Sequence, residues 1–207
     1  MESTVRAQKV AKRPGGRTAD VTRRVHQAIT ELLLQGGVGA CTFSAVAERA
    51  GIERSTLYRR FPNRWDAIID AWMARAAEEV MPSLQGDFAK DLRSVLEKLA
   101  ALLASPMGPA LLTVAAELRA KSGGDYSREF FDRRMDQLAP MFEAAIERGQ
   151  LPADVDREAL FTFAAGPIYF RMFIAGRTVD KAFIGNLVDS VCARFCLPRL
   201  AKAEAPA

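Results

Sequence analysis

Between residues 53 and 64 the chain carries four arginines, Arg54, Arg59, Arg60 and Arg64, against one acid, Glu53. Ser55, Thr56, Tyr58 and Asn63 stand among them, and Thr42 lies a short way upstream. Guanidinium groups suit bidentate pairing with guanine edges and with phosphate oxygens, and hydroxyls suit single hydrogen bonds to the same partners. An ordinary surface helix mixes its charges, so a one-signed segment points to a polyanion more than to a solvated face. If Leu57 and Phe61 face inward, a turn of about 100° per residue points Ser55, Thr56 and Arg59 most directly outward. Arg54 and Tyr58 then flank that face on one side and Arg60 on the other.

Other chemistries have little material. His26 is the single histidine and stands among basic residues, so no Ser/His/Asp or Cys/His set assembles around it. A phosphate-pairing surface role is its expected use. Cys192 and Cys196 are spaced i, i+4, but a zinc site needs four ligands and none are near in sequence. No catalysis, metal or cofactor is therefore expected. Three cysteines in a chain of 207 residues do not suggest a disulfide framework and fit a reducing compartment.

The charge distribution agrees with the arginine segment. The chain totals 29 Lys+Arg and 25 Asp+Glu, a net charge of +4. Residues 1 to 64 hold 12 basic and 5 acidic residues, a balance of +7, and the remainder holds 17 and 20, a balance of −3. A basic head on a mildly acidic body is the footprint of a protein that meets a polyanion at one end only. No apolar run nears the roughly 18 residues of a membrane span, and residues 1 to 20 lack the apolar middle of a secretion signal. A soluble, cytoplasmic protein with no membrane partner is expected.

The elements that must position these residues read as helices throughout, giving an all-α chain of about nine helices. Residues 1–19 are expected to form a flexible basic arm, 20–80 a first domain, 81–200 a second and 201–207 a frayed tail. The first helix spans about Asp20 to Gln35, with Val21, Val25, Ile29, Leu32 and Leu33 as its stripe and Gly36-Gly37 closing it. Thr42 caps a short helix bearing Phe43, Val46, Ala47 and Ala50; Gly51 ends it. A second short helix, Glu53 to Phe61, stops at Pro62. A longer one opens near Asn63 and carries Trp65, Ile68, Ile69, Trp72, Ala76 and Val80. Further helices fall at about 88–104, 109–121, 127–149, 156–175 and 180–197. Two short helices joined by a Gly turn, the second rich in Arg and hydroxyls, form a helix-turn-helix pattern.

The run from Thr42 to Ile52, then Ser55-Thr56-Leu57-Tyr58 and Phe61-Pro62-Asn63-Arg64, resembles the DNA-binding domain of the TetR family of bacterial transcriptional regulators over about residues 20–80. The resemblance implies that Thr42 contacts phosphate, that the helix from Glu53 to Arg60 reads the major groove, and that Tyr58 and Arg64 grip the backbone. Arg64 stands where the family usually has Lys, Trp65 where an acid is common, and Glu53 where Ser or Thr is usual. Asn63 and Arg64 open the next helix, whose free N–H groups are suited to a phosphate. Farther on, the stretch from Glu147 to Asp156 and the run Gly166 to Arg171 are similar to one branch of TetR-type C-terminal domains.

In the body, the 156–175 helix is apolar on nearly all sides and so is expected to bury one face at home and another in a partner. Phe161, Ile168 and Met172, with Ile184, Leu187, Val188, Val191 and Phe195 of the last helix, are the candidate homodimer interface. Pro167 is expected to kink this helix. Candidate pocket residues are Trp72, Met107, Leu111, Phe130, Phe131, Met135, Phe142, Phe163 and Phe170, each weighed against plain core packing. Glu117, Arg119, Tyr169 and Arg171 are available as polar anchors. Such a lining suits a hydrophobic or aromatic small molecule. The sequence thus points to a repressor that binds double-stranded DNA at a palindromic operator and releases it on binding an effector. A regulator without an effector, or an enzyme or carrier with a helical head, are the competing readings.

Overall fold

The computed structural model describes residues 15–105, 107–122 and 125–198. Among these the chain is all-α, with helices α1 (Gly15–Ala40), α2 (Phe43–Ala50), α3 (Arg54–Arg60), α4 (Arg64–Glu79), α5 (Phe88–Ala104), α6 (Met107–Ser122), α7 (Asp125–Glu147), α8 (Arg157–Tyr169) and α9 (Lys181–Phe195). Residues 1–14 of the expected arm and the expected tail lie outside the described residues, while 15–19 open α1. None of the described helices is singly long and apolar enough to cross a membrane.

The chain divides into two compact units at Ala71/Trp72, inside α4, and not at the expected 80/81. The first unit is a small core of α1, α2, α3 and the start of α4. Val25, Ile29, Leu32 and Leu33 of α1 are buried with Val46, Ala47, Leu57, Phe61, Trp65 and Ile68. Gly36 and Gly37 break α1 as expected, but a further helical turn follows to Ala40 and carries Val38 and Cys41 into the core. The Cys41 thiol donates toward the Ile29 carbonyl at 3.8 Å, and burial pushes its pKa up to about 11.

Local signals explain the turn between α2 and α3. The Thr42 hydroxyl accepts the Ala45 N–H at 3.1 Å, the N-cap that its residue type favours. Gly51 closes α2 in the left-handed region (φ 62, ψ 45), where a Cβ is disfavoured. Its N–H donates to Glu48 and that of Ile52 to Ala47, and Arg24 of α1 donates to the carbonyls of Ala50 and Gly51 at 3.0 and 3.3 Å. The turn is thereby tied to α1 from outside as well as closed from within.

The second unit packs α5 against α6, α7, α8 and α9. Leu92, Val95, Leu96 and Leu103 of α5 form its centre with Leu138, Met141 and Phe142 of α7 and Leu160, Ala164 and Ile168 of α8. The α5–α6 turn is so tight that a Cβ on Gly108 would fall 1.9 Å from the Leu103 carbonyl oxygen. Buried Asp91 accepts the Gln85 N–H at 2.7 Å, and Gln150 accepts from the Phe88 N–H and donates to the Gly86 carbonyl, fixing the approach to α5. The helix expected over 156–175 is α-helical only to Tyr169. It then widens into a π-helical turn, Phe170–Ile174, closed by an i→i+5 bond from Ala175 N–H to the Phe170 carbonyl. The departure from α geometry thus falls just after Pro167, which lacks the N–H that would continue the ladder.

Candidate functional site

The outward face of α3 is built by what holds its inward face. Leu57 is wholly buried and Phe61 nearly so, which leaves Arg54, Ser55, Tyr58, Arg59 and Arg60 exposed. Thr56 is half-buried, nearer the domain than expected. Tyr58, although 57% exposed, leans edge-on against Phe43 of α2 with ring centroids 4.9 Å apart, and Arg54 donates to its hydroxyl at 3.3 Å. The three side chains form one braced unit across the helix-turn-helix.

The four arginines separate by partner. Arg60 donates to the Thr22 hydroxyl of α1 and is drawn back along the domain. Arg64 is half-buried and lies over the Trp65 ring, 4.6 Å from its centroid. Arg59 is exposed and makes no hydrogen bond or ion pair among the described residues. Its five donors are available to a partner outside the chain. Thr42 is exposed, and because its oxygen accepts the cap bond, its hydroxyl proton remains to be donated.

Two expectations are corrected here. The N-terminus of α4 does not present a set of free N–H groups, because Asn63 Oδ1 accepts those of Trp65 and Asp66 at 2.8 and 3.2 Å while Asp66 accepts that of Asn63 at 3.3 Å. This reciprocal cap satisfies the donors that a phosphate would have used. His26 is not a surface partner for phosphate either: its Nε2 lies 2.8 Å from Asp70 Oδ2, linking α1 to α4 within the first unit.

The second unit contains a cavity of about 250 Å³. Trp72, Ala76 and Val80, Leu99 and Leu102, Phe130 and Phe131, and Phe161 and Ala165 give it a mainly apolar wall. Arg134, Thr162, Gly166 and Tyr169 complete it. Arg134 is 7% exposed, donates to the Val80 carbonyl at 3.0 Å and to Gln137 Oε1 at 3.1 Å, and burial draws its pKa down to about 10. Burial pushes the Tyr169 phenol up to about 12, so it stays protonated at neutral pH.

Of the candidate pocket residues, Trp72, Phe130 and Phe131 line this cavity. Leu111 is buried away from it, and Phe142 is core, packed on Phe88 at 6.2 Å. Met135 is half-buried outside the lining. Phe163 is 42% exposed and packs on Phe195 at 5.9 Å, while Phe170, 62% exposed, borders a surface groove with Arg171, Arg177 and Phe183. The Met107 side chain lies outside what is described. Among the polar candidates, Tyr169 reaches the cavity; Glu117, Arg119 and Arg171 do not.

The candidate interface residues also sort differently. Phe161 lines the cavity and faces the Phe131 ring at 6.5 Å. Ile168, Ile184, Val188 and Val191 are at most 3% exposed and Leu187 is 8% exposed, so within one protomer they have almost no surface left to bury. Met172 and Phe195 are half-buried. The apolar side chains left to solvent on the same helices are Phe163, Phe170 and Ile174. Arg134 was missed by sequence reasoning, yet it sits in the apolar stripe Phe131, Leu138, Met141 and Ala145, where a lone cation is itself a signal.

A braced helix-turn-helix with an exposed basic second helix, followed by a helical unit that contains an apolar cavity, defines a DNA-binding transcriptional regulator. Residues 26–66 match the bacterial regulatory proteins of the tetR family, and residues 82–191 match the tetracyclin repressor-like C-terminal domain. The chain belongs to the TetR family of transcriptional regulators. It is 28% identical over 180 residues to the HTH-type transcriptional regulator YdeS of Bacillus subtilis, covering 86% of this chain and 91% of that one. It is also 28% identical over 167 residues to the DNA-binding transcriptional repressor TetR of Mycobacteroides abscessus, covering 78% and 86%. Among solved structures, the TetR family transcription regulator SCO0332 superposes with a TM-score of 0.70 at 29% identity, over 84% of this chain and 97% of that one.

Proposed function

We propose that this regulator is a cytoplasmic, ligand-responsive repressor that binds a palindromic operator as a homodimer and releases it when a small molecule enters the second unit. The observation that carries the reading is α4, one continuous helix. Its first turn follows the recognition segment at Asn63, and its later turns supply Trp72 and Ala76 to the cavity wall. A ligand that displaces Trp72 acts on the same helix that carries Trp65 and Ile68 into the core beneath α3. For such a ligand to relieve repression, it must bind the DNA-incompetent state more tightly than the DNA-bound one.

In this reading Arg59 and Ser55 read base edges, while Thr42, Arg54, Tyr58 and Arg64 position the backbone. Two half-sites about 34 Å apart require two copies of α3, and a dimer supplies them. Phe163, Phe170 and Ile174, exposed on α8 and the π turn, are the apolar surface offered for that pairing. Repression is supported by the named activity of the Mycobacteroides abscessus relative. The test is an electrophoretic shift of the protein's own upstream region with and without candidate effectors. Sequence-selective binding at moderate salt is expected, and binding equal to that of scrambled DNA refutes the reading.

A further inference from the structure

We propose that the cavity takes a one- or two-ring aromatic ligand carrying an anionic acceptor, a carboxylate, held by the indole N–H of Trp72 and the guanidinium of Arg134. The inference rests on the reading of the cavity as an effector site and specifies its ligand chemistry.

Three donors carry it. Trp72 is 5% exposed and lines the cavity, and its Nε1 is buried with no hydrogen-bond partner among the described residues. Buried indole N–H groups are ordinarily satisfied, and one left without an acceptor on a ring that lines a cavity is a position for a ligand acceptor. Arg134 is a cation in the same wall whose hydrogen bonds among the described residues go to a carbonyl and a neutral amide, the groups on Val80 and Gln137. No carboxylate pairs with it among the described residues. Buried cations are usually paired, and a guanidinium with open donors accepts a carboxylate in fork geometry. Tyr169, at the same wall, has no hydrogen-bond partner among the described residues, and its phenol is free to donate.

The rest of the wall sets the ligand's body. Trp72, Phe130, Phe131 and Phe161 surround the space with rings. An apolar cavity of about 150 Å³ holds a benzene ring, so one of about 250 Å³ has room for a larger aromatic body and a carboxylate. A purely apolar ligand would leave all three donors open. A phosphate or a sugar would place many polar atoms against hydrocarbon.

Calorimetric titration of the full chain with benzoate, 1-naphthoate and their neutral carboxamides tests this. In the wild type at least one acid is expected to bind about tenfold or more tighter than its amide. Trp72→Phe, which removes only the donor from an aromatic wall, should weaken both members of that pair about fivefold and leave their ratio in place. Arg134→Gln should bring the ratio to about twofold or less, and Arg134→Lys should restore part of it. If Arg134→Gln does not retain wild-type helix content by circular dichroism, the wild-type pair and Trp72→Phe decide the matter. Equal binding of acid and amide to the wild type overturns the carboxylate assignment and leaves the effector cavity standing. Absence of binding by all four probes at millimolar concentration, with the protein folded, overturns both.

Discussion

Arg59→Ala separates base reading from phosphate holding on α3. Arg59 is exposed and has no partner within the described chain, so its removal breaks no internal bond and stability should change by no more than about 0.5 kcal/mol. A bidentate base contact contributes about 1–3 kcal/mol. A dimer makes the contact twice, so the loss on a two-half-site operator is about 2–6 kcal/mol, or from about 30-fold to four orders of magnitude in Kd. A phosphate contact behaves differently: it weakens all sequences alike, and losing two lowers the salt dependence by about 1.8 in log Kd per log salt. The assay is fluorescence anisotropy on an operator duplex and a scrambled duplex between 50 and 300 mM salt. Loss on the operator alone, with an unchanged salt slope, is the expected result. Equal loss on both duplexes with a shallower slope refutes base reading, and no loss on either refutes the placement of Arg59 at the DNA. Arg60→Ala is the internal control. Its guanidinium is engaged with Thr22, so its effect on operator preference should be much the smaller.

Further outcomes follow from the packing. Leu57→Ala, at a wholly buried position, should cost about 2–5 kcal/mol in urea unfolding and abolish operator binding through loss of α3 rather than of a contact. Gly51→Ala should cost about 1–2 kcal/mol from backbone strain alone, since a Cβ there has open space up to Arg24 Nη1 at 3.6 Å. Gly108→Ala should cost more, because its Cβ meets the Leu103 carbonyl and the α5–α6 turn must move; chemical denaturation of the two variants side by side checks the order. The raised Cys41 pKa means that the folded state holds the thiol proton more tightly than the unfolded chain does. Its contribution is therefore complete below the ordinary thiol pKa of 9.0 and is lost as pH rises through about 11. Folded protein at pH 8 should react with a thiol reagent at Cys41 only after denaturant is added, and rapid native labelling of Cys41 would contradict its burial.

The helix pattern and the recognition segment were legible in the chain because both rest on local rules. An apolar period of 3.6 residues, a Thr before Phe43, a Gly after Ala50 and a Pro after Phe61 mark α2 and α3 without reference to anything distant. Leu57 and Phe61 partition α3 into inner and outer faces, and Arg59 emerges on the outer one. The same rules fail at His26, whose partner Asp70 lies on another helix, and at Arg60, whose partner Thr22 does. The start of α4 differs, because the Asn63 and Asp66 side chains that take the N–H groups are near neighbours in the chain and their reciprocal cap is itself a local signal.

In the body the limit is more general. Periodicity states that a side chain is buried but not against what, so Phe161, Phe163 and Phe142, similar in sequence terms, become cavity wall, exposed face and solid core. Composition and local spacing by themselves determined an all-α chain with a basic helix-turn-helix head, because capping, helical period and charge are properties of neighbouring residues. Only the tertiary structure decided where the cavity lies, that Arg134 and Trp72 share its wall, and which apolar residues stay outside. Those outcomes depend on the packing of α4, α5, α7 and α8, whose contacting residues lie far apart along the chain.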